Sequence, residues 1–173
     1  ATDYIEQTSD GGFIECGETW SYSPYNDWDG YVRKLDADGN QIWARLLGAD
    51  GSLDYALCVR EVPSGGYVCF ARINFEMTVV RLGENGGILW ERAFPSEFTD
   101  EPNFIEPTSD GGFLLAANYY NETFLIAKLN ANGTMAWYNS YGEPHGTAAE
   151  CVRELPDGTF IACGAIHPGP PQN

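Results

Sequence analysis

The chain has 173 residues, 43% hydrophobic and 14% aromatic, enough for one ordinary domain with a packed core. Its 25 Asp and Glu against 9 Lys and Arg leave a formal net charge of −16, a field that repels nucleic-acid phosphates and anionic lipid. No apolar run approaches the roughly 18 residues of a membrane span. Five cysteines, an odd number without Cys-x-x-Cys spacing, exclude a fully paired disulfide scaffold.

In chain order, a first strand is predicted at ATDYIEQT (1–8) and a second after the turn TSDGGF (8–13). The loop TWSYSPYNDWDGY (19–31) follows, and then GYVRKLDADGNQIW ends at Trp43. The next stretch reads as strands over 56–62, 66–72, 77–82 and 88–94, rich in Val, Ile, Phe and Tyr and bounded by Gly, Asn and Pro. A third stretch repeats TSDGGF at 108–113 and closes on KLNANGTMAW (128–137). LPDGTFIAC (155–163) starts a fourth copy, with Pro156 presetting φ for a type I turn and Gly158 taking the left-handed bulge. HPGPPQN (167–173) reads as a tail or linker.

Trp43, Trp90 and Trp137 are 47 residues apart, each closing a K/R-L-x-x-x-G phrase. A period of that size means an array of one supersecondary unit. Four short antiparallel strands per unit, with no sustained helical periodicity, predict an all-β chain of β-propeller blades. Blade 1 is expected at about 1–47, blade 2 at 54–94, blade 3 at 101–141 and half of blade 4 at 147–165, within a repeat region of 1–166. The phrases GYVRKLDADGNQIW and DGGF resemble the β-propeller repeats of secreted bacterial and archaeal surface proteins. The tryptophan phrase is similar to the docking motif of quinoprotein-type propellers. The resemblance implies a fold and an extracellular or cell-surface setting, and carries over no cofactor-binding residue. Three and a half blades are too few for a common ring. The chain is therefore expected to be a segment of a longer polypeptide, with association with further copies or an open stack as the alternatives.

Function is expected where the copies differ. Asp10 to Trp43 is 33 residues, whereas Ser64 to Trp90 is 26 and Asp110 to Trp137 is 27. The excess falls in the 19–31 loop, where Trp20, Tyr22, Tyr25 and Trp28 stand beside Asp27 and Asp29. Aromatic rings that stack on sugar faces, next to carboxylates that accept hydroxyl hydrogen bonds, suit a glycan or a protein ligand. Plain packing of the loop on its blade is the alternative. The face that bears this loop is also expected to carry Asp50, Asp54, Glu97, Asp100, Glu101, Glu122, Glu143 and His145, a set that would suit a polysaccharide hydrolase or lyase. A third class is a repeat unit of a surface layer or filament.

Asp36, Asp38 and Asn40 have the oxygen spacing of a calcium loop. The equivalent turns GENGG and NANGT lack the paired carboxylates, so a plain turn is the simpler reading and Ca2+ the alternative. Asp54 and Asp100 read as side-chain caps of the incoming loops. One repeat slot holds Glu6, Arg60, Glu106 and Arg153 in turn, which predicts opposite charges meeting at blade boundaries. The register sets Cys151 opposite Cys163, as a disulfide or as two free thiols, and Cys58 opposite Phe70. Asn121 and Asn132 head glycosylation sequons in predicted loops.

Overall fold

The structure, a computed structural model, describes residues 1–20, 28–48, 52–94, 101–119, 123–141 and 147–166. These residues form three four-stranded antiparallel sheets and one two-stranded sheet, with neighbours in chain order and no helix among them. They are the blades of a partial β-propeller. Blade 1 is β1 (Thr2–Gln7), β2 (Phe13–Thr19), β3 (Asp29–Leu35) and β4 (Gln41–Leu47). Blade 2 is β5 (Tyr55–Glu61), β6 (Tyr67–Ile73), β7 (Glu76–Leu82) and β8 (Ile88–Ala93). Blade 3 is β9 (Pro102–Pro107), β10 (Phe113–Tyr119), β11 (Thr123–Leu129) and β12 (Met135–Tyr141), and the half blade is β13 (Thr147–Glu154) and β14 (Phe160–Ile166). The predicted strands of blade 2 are matched to within one residue at each end. Gly66, predicted to begin the second strand, has φ of 71° and belongs to the turn.

The glycine turns act as their chemistry requires. In TSDGGF the Thr8 N–H donates to the Gly12 carbonyl (2.9 Å) and the Gly11 N–H to the Thr8 carbonyl (2.9 Å), with Gly11 at φ 85°. The same two bonds close the turns at Thr108–Gly112 and Leu155–Thr159. This type I turn with a left-handed glycine fixes the register of each first hairpin. The first strand of every copy carries a bulge, at Thr2/Tyr4, Ala56/Cys58, Pro102/Phe104 and Ala149/Cys151.

Each complete blade buries one cation from its third strand. Lys34 is 3% exposed, and its Nζ donates to Asp10 Oδ1 (3.0 Å) and the Leu35 carbonyl (2.9 Å). Lys128 repeats this on Asp110 and Leu129, both at closely similar distances. Arg81 donates instead to the carbonyls of Gly65, Tyr67 and Leu82. A buried ammonium is tolerable only with such partners. The path of these cations also explains the second glycine of DGGF: a Cβ at Gly12 or Gly112 would collide with the lysine Nζ and a third-strand carbonyl.

The chain divides into two compact units, Ala1–Phe94 and Pro95–Asn173. In the first, blades 1 and 2 share an apolar core that includes Ile14, Cys16, Val32, Val59, Cys69 and Val80. Their first strands run side by side, and Arg60 pairs with Glu6 at 3.3 Å. Ser9 donates both its N–H and its hydroxyl to the Glu61 carboxylate, each at 2.7 Å. Trp43 reaches across to blade 2, its indole N–H donating to the Glu84 carbonyl (2.9 Å), and Arg45 Nε donates to the Gly86 carbonyl (2.9 Å). The second unit repeats this joint. Arg153 pairs with Glu106 at 2.7 Å, Ser109 donates its N–H and hydroxyl to Glu154 (2.6 and 2.9 Å), and Trp137 packs on Phe160 with ring centroids 5.9 Å apart. The charge alternation expected from the repeat slot holds at the junction inside each unit.

Candidate functional site: the aromatic insertion of blade 1

β2 ends at Thr19 and β3 begins at Asp29, paired with each other, so the insertion leaves and re-enters the sheet between adjacent strands. Trp20 and Trp28 stand at its two feet, their rings edge-to-face with centroids 5.4 Å apart and planes at 78°. Trp28 is half-buried, and its carbonyl accepts the Asp54 N–H at 2.9 Å. Trp20 remains 45% exposed. The pair thus joins a half-buried ring to one open to solvent. Asp29 is buried at the start of β3. Tyr22, Tyr25 and Asp27 lie outside the described residues, as do Asp50, Glu97, Asp100, Glu122, Glu143 and His145.

A cleft of about 440 Å³ opens beside Thr19, lined by Glu18, Tyr31, Arg33, Ala44 and Leu46 among others. Arg33 Nε donates to Glu15 at 2.7 Å, and the hydroxyls of Tyr31 and Thr2 are 2.7 Å apart. Burial pushes the Tyr31 hydroxyl above its ordinary range, so it stays protonated there.

Asp54, fully buried, accepts the Ser52 hydroxyl and the Asn74 N–H, both at 2.8 Å, and so caps the turn between β6 and β7. Asp36 accepts the N–H groups of Asp38 (3.0 Å) and Asn40 (2.8 Å) and the Asn40 side-chain amide (3.0 Å). The Asn40 amide, with these backbone groups, holds the Asp36 carboxyl below the usual carboxylate range. Its oxygens are thus engaged within the turn. Among the described residues no group of three or more His, Cys, Asp or Glu is placed to hold a metal ion. Cys151 stands opposite Cys163 and Cys58 opposite Phe70, as the bulge register predicts, and both Cys151 and Cys163 are free cysteines. Asn132 is exposed in the β11–β12 turn, its side-chain carbonyl accepting the Thr134 hydroxyl at 2.7 Å. Asn121 lies outside the described residues.

Sequence reasoning missed the Ser9–Glu61 and Ser109–Glu154 latches. The signal was present: odd copies read T-S-D-G-G, while even copies read V-R-E before a proline turn.

No protein-family model matches the chain, and a search of curated proteins finds no match. Among solved structures, a protein of unknown function from Bacteroides caccae is similar, with a TM-score of 0.57 and 15% identity over 85% of this chain and 49% of its own. Sqt1 from Chaetomium thermophilum is similar with a TM-score of 0.60 and 15% identity, over 94% of this chain and 40% of its own. The chain therefore spans half or less of the length of either protein. At this identity the likeness shows the fold alone.

Proposed function

We propose that this chain is a non-catalytic binding module of an extracellular or cell-surface protein of the secreted propeller-repeat type, with the aromatic insertion of blade 1 contacting a glycan or protein ligand. The observation that carries this is the Trp20–Trp28 pair: a large, solvent-open ring packed edge-on against a half-buried one, in the loop where blade 1 departs from its copies. At 45% exposure the Trp20 ring is left open for stacking against a ligand. The test is an array of oligosaccharides probed with the parent chain and with Trp20→Ala. The parent should bind a defined subset and Trp20→Ala should lose it without a change in melting temperature. Equal binding by both chains would sink the proposal.

A second reading, a repeat unit of a surface assembly, is favoured by one observation. The outermost strands β4 and β8 of the two complete blades of the first unit expose large apolar side chains, Ile42 at 57% and Leu89 at 63%, which invite a covering partner. Native mass spectrometry distinguishes the readings, because an assembly unit appears in particles of several chains.

A further inference from the structure

Arg72, near the end of β6, is the cation that the fold leaves unmatched. Of the nine Lys and Arg residues, each of the others meets a carboxylate or donates to a backbone carbonyl. Among the described residues Arg72 does neither, in a chain that has 25 Asp and Glu. Its Nη1 donates to the Tyr55 hydroxyl at 3.2 Å. Its Nε is buried with no hydrogen-bond partner, and its Nη2, which is not buried, has none either. A buried donor without a partner forfeits its hydration, so such groups are ordinarily satisfied. What holds the guanidinium is aromatic: its Cζ is 5.8 Å from the Tyr55 ring centroid and 5.6 Å from that of Phe75.

Phe75 is the second, independent observation. It adopts φ of 65° in the β6–β7 turn and is 56% exposed. A left-handed conformation in a bulky residue persists at a cost, and such strain gathers at ligand clamps. The turn is tied to the foot of the aromatic insertion. The Asn74 N–H donates to Asp54 (2.8 Å), whose own N–H donates to the Trp28 carbonyl (2.9 Å). The slot of Arg72 holds Glu18 in β2 and Asn118 in β10, so the blade itself requires no cation there.

We propose that Arg72 binds the carboxylate of an acidic sugar, a uronate unit of the glycan, with Nη1 and Nη2 as the two donors and the exposed Phe75 ring against the sugar's C–H face. A planar guanidinium matches a carboxylate with two parallel hydrogen bonds, an arrangement that a neutral sugar hydroxyl does not offer. This rests on the reading of the insertion as a glycan surface and narrows it to acidic glycans. In a chain of net charge −16 the overall field repels anions, so one is admitted only where a fixed cation recognises it.

The experiment is a nitrogen–proton correlation spectrum of the full chain, at physiological salt so that the acidic field is screened, titrated with methyl glucuronoside. Methyl glucoside is the neutral control. The Arg72 Nε–H signal, assigned by its absence from Arg72→Gln, should shift saturably with the uronoside and stay in place with the glucoside. Arg72→Gln should weaken binding, read from the Asn74 amide, by about tenfold or more, as for a hydrogen bond between charged groups. Phe75→Gly relieves the strained turn without touching the guanidinium, and should weaken binding about threefold without lowering the melting temperature. No Arg72 shift with the uronoside, an equal shift with the glucoside or with acetate, or unaltered binding by both variants would overturn the site. Displacement of the uronoside by a blocked aspartate peptide at lower concentration would overturn the sugar assignment in favour of a protein ligand. If Arg72 stays silent while Trp20→Ala still loses neutral oligosaccharides, this inference fails and the insertion reading stands. If Arg72 responds while Trp20→Ala loses nothing on the array, the insertion reading fails and the Arg72 site stands.

Discussion

Asp10 and Asp110 tie a turn to a buried lysine, and their carboxyls are held down to about 2. The Thr8 hydroxyl, then Lys34 and the Gly12 N–H act on the first, and the Thr108 hydroxyl, then the Gly112 N–H and Lys128 on the second. A carboxyl whose folded value is depressed stabilises the fold fully above its ordinary value of 3.8, and that contribution is lost as pH falls towards 2. Asp10→Asn and Asp110→Asn should therefore lower the urea midpoint near neutrality, and the gap to the parent should close between about pH 4 and pH 2. A gap constant with pH would contradict this. Phe75 presents the opposite case, a residue that works against the fold. It and Asn74 have φ of 65° and 53° in the two-residue turn between the paired Ile73 and Glu76. That mirror-image turn favours glycine. Phe75 is 56% exposed, with the Arg72 guanidinium 5.6 Å from its ring. Phe75→Gly should stabilise by about 1 kcal/mol, read from chemical denaturation, because it relieves a left-handed side chain.

At the scale of the element, the joint between blades rests on a few side chains in fixed slots. Ser9 and Glu61 should show a coupling of about 1.5 kcal/mol in a double-mutant cycle built from Ser9→Ala and Glu61→Gln, the low end for a hydrogen bond to a charged group. Zero coupling would make the latch incidental. Much of this level was legible in the sequence. The 47-residue spacing of Trp43, Trp90 and Trp137 located the blades, DGG and DGT located the turns, and Glu6, Arg60, Glu106 and Arg153 announced an alternation of charge. The latches were overlooked although the alternation of T-S-D-G-G with V-R-E carried them, because Ser9 and Ser109 lie inside the turn string and read as turn formers.

At the scale of the molecule, the serine latch answers why TSDGGF returns after one hundred residues. Blades 1 and 3 carry the serine donor, while blade 2 and the half blade carry the glutamate acceptor, so the chain repeats in pairs of blades. Blade 2 has Pro63 where Ser9 and Ser109 stand, and proline has no N–H to donate. The six residues by which the spacing exceeds two 47-residue periods belong to the aromatic insertion, so the one irregularity in the spacing is also the proposed binding surface. The rings at that surface are partly outside the described residues, and Trp20 with Trp28 carries the proposal. The indole N–H signals of the five tryptophans report on it directly in a nitrogen–proton correlation spectrum. Titration with the strongest binder from the oligosaccharide array should shift the Trp20 and Trp28 signals and leave those of Trp43, Trp90 and Trp137 in place. Shifts at the three repeat tryptophans with none at Trp20 would contradict the account.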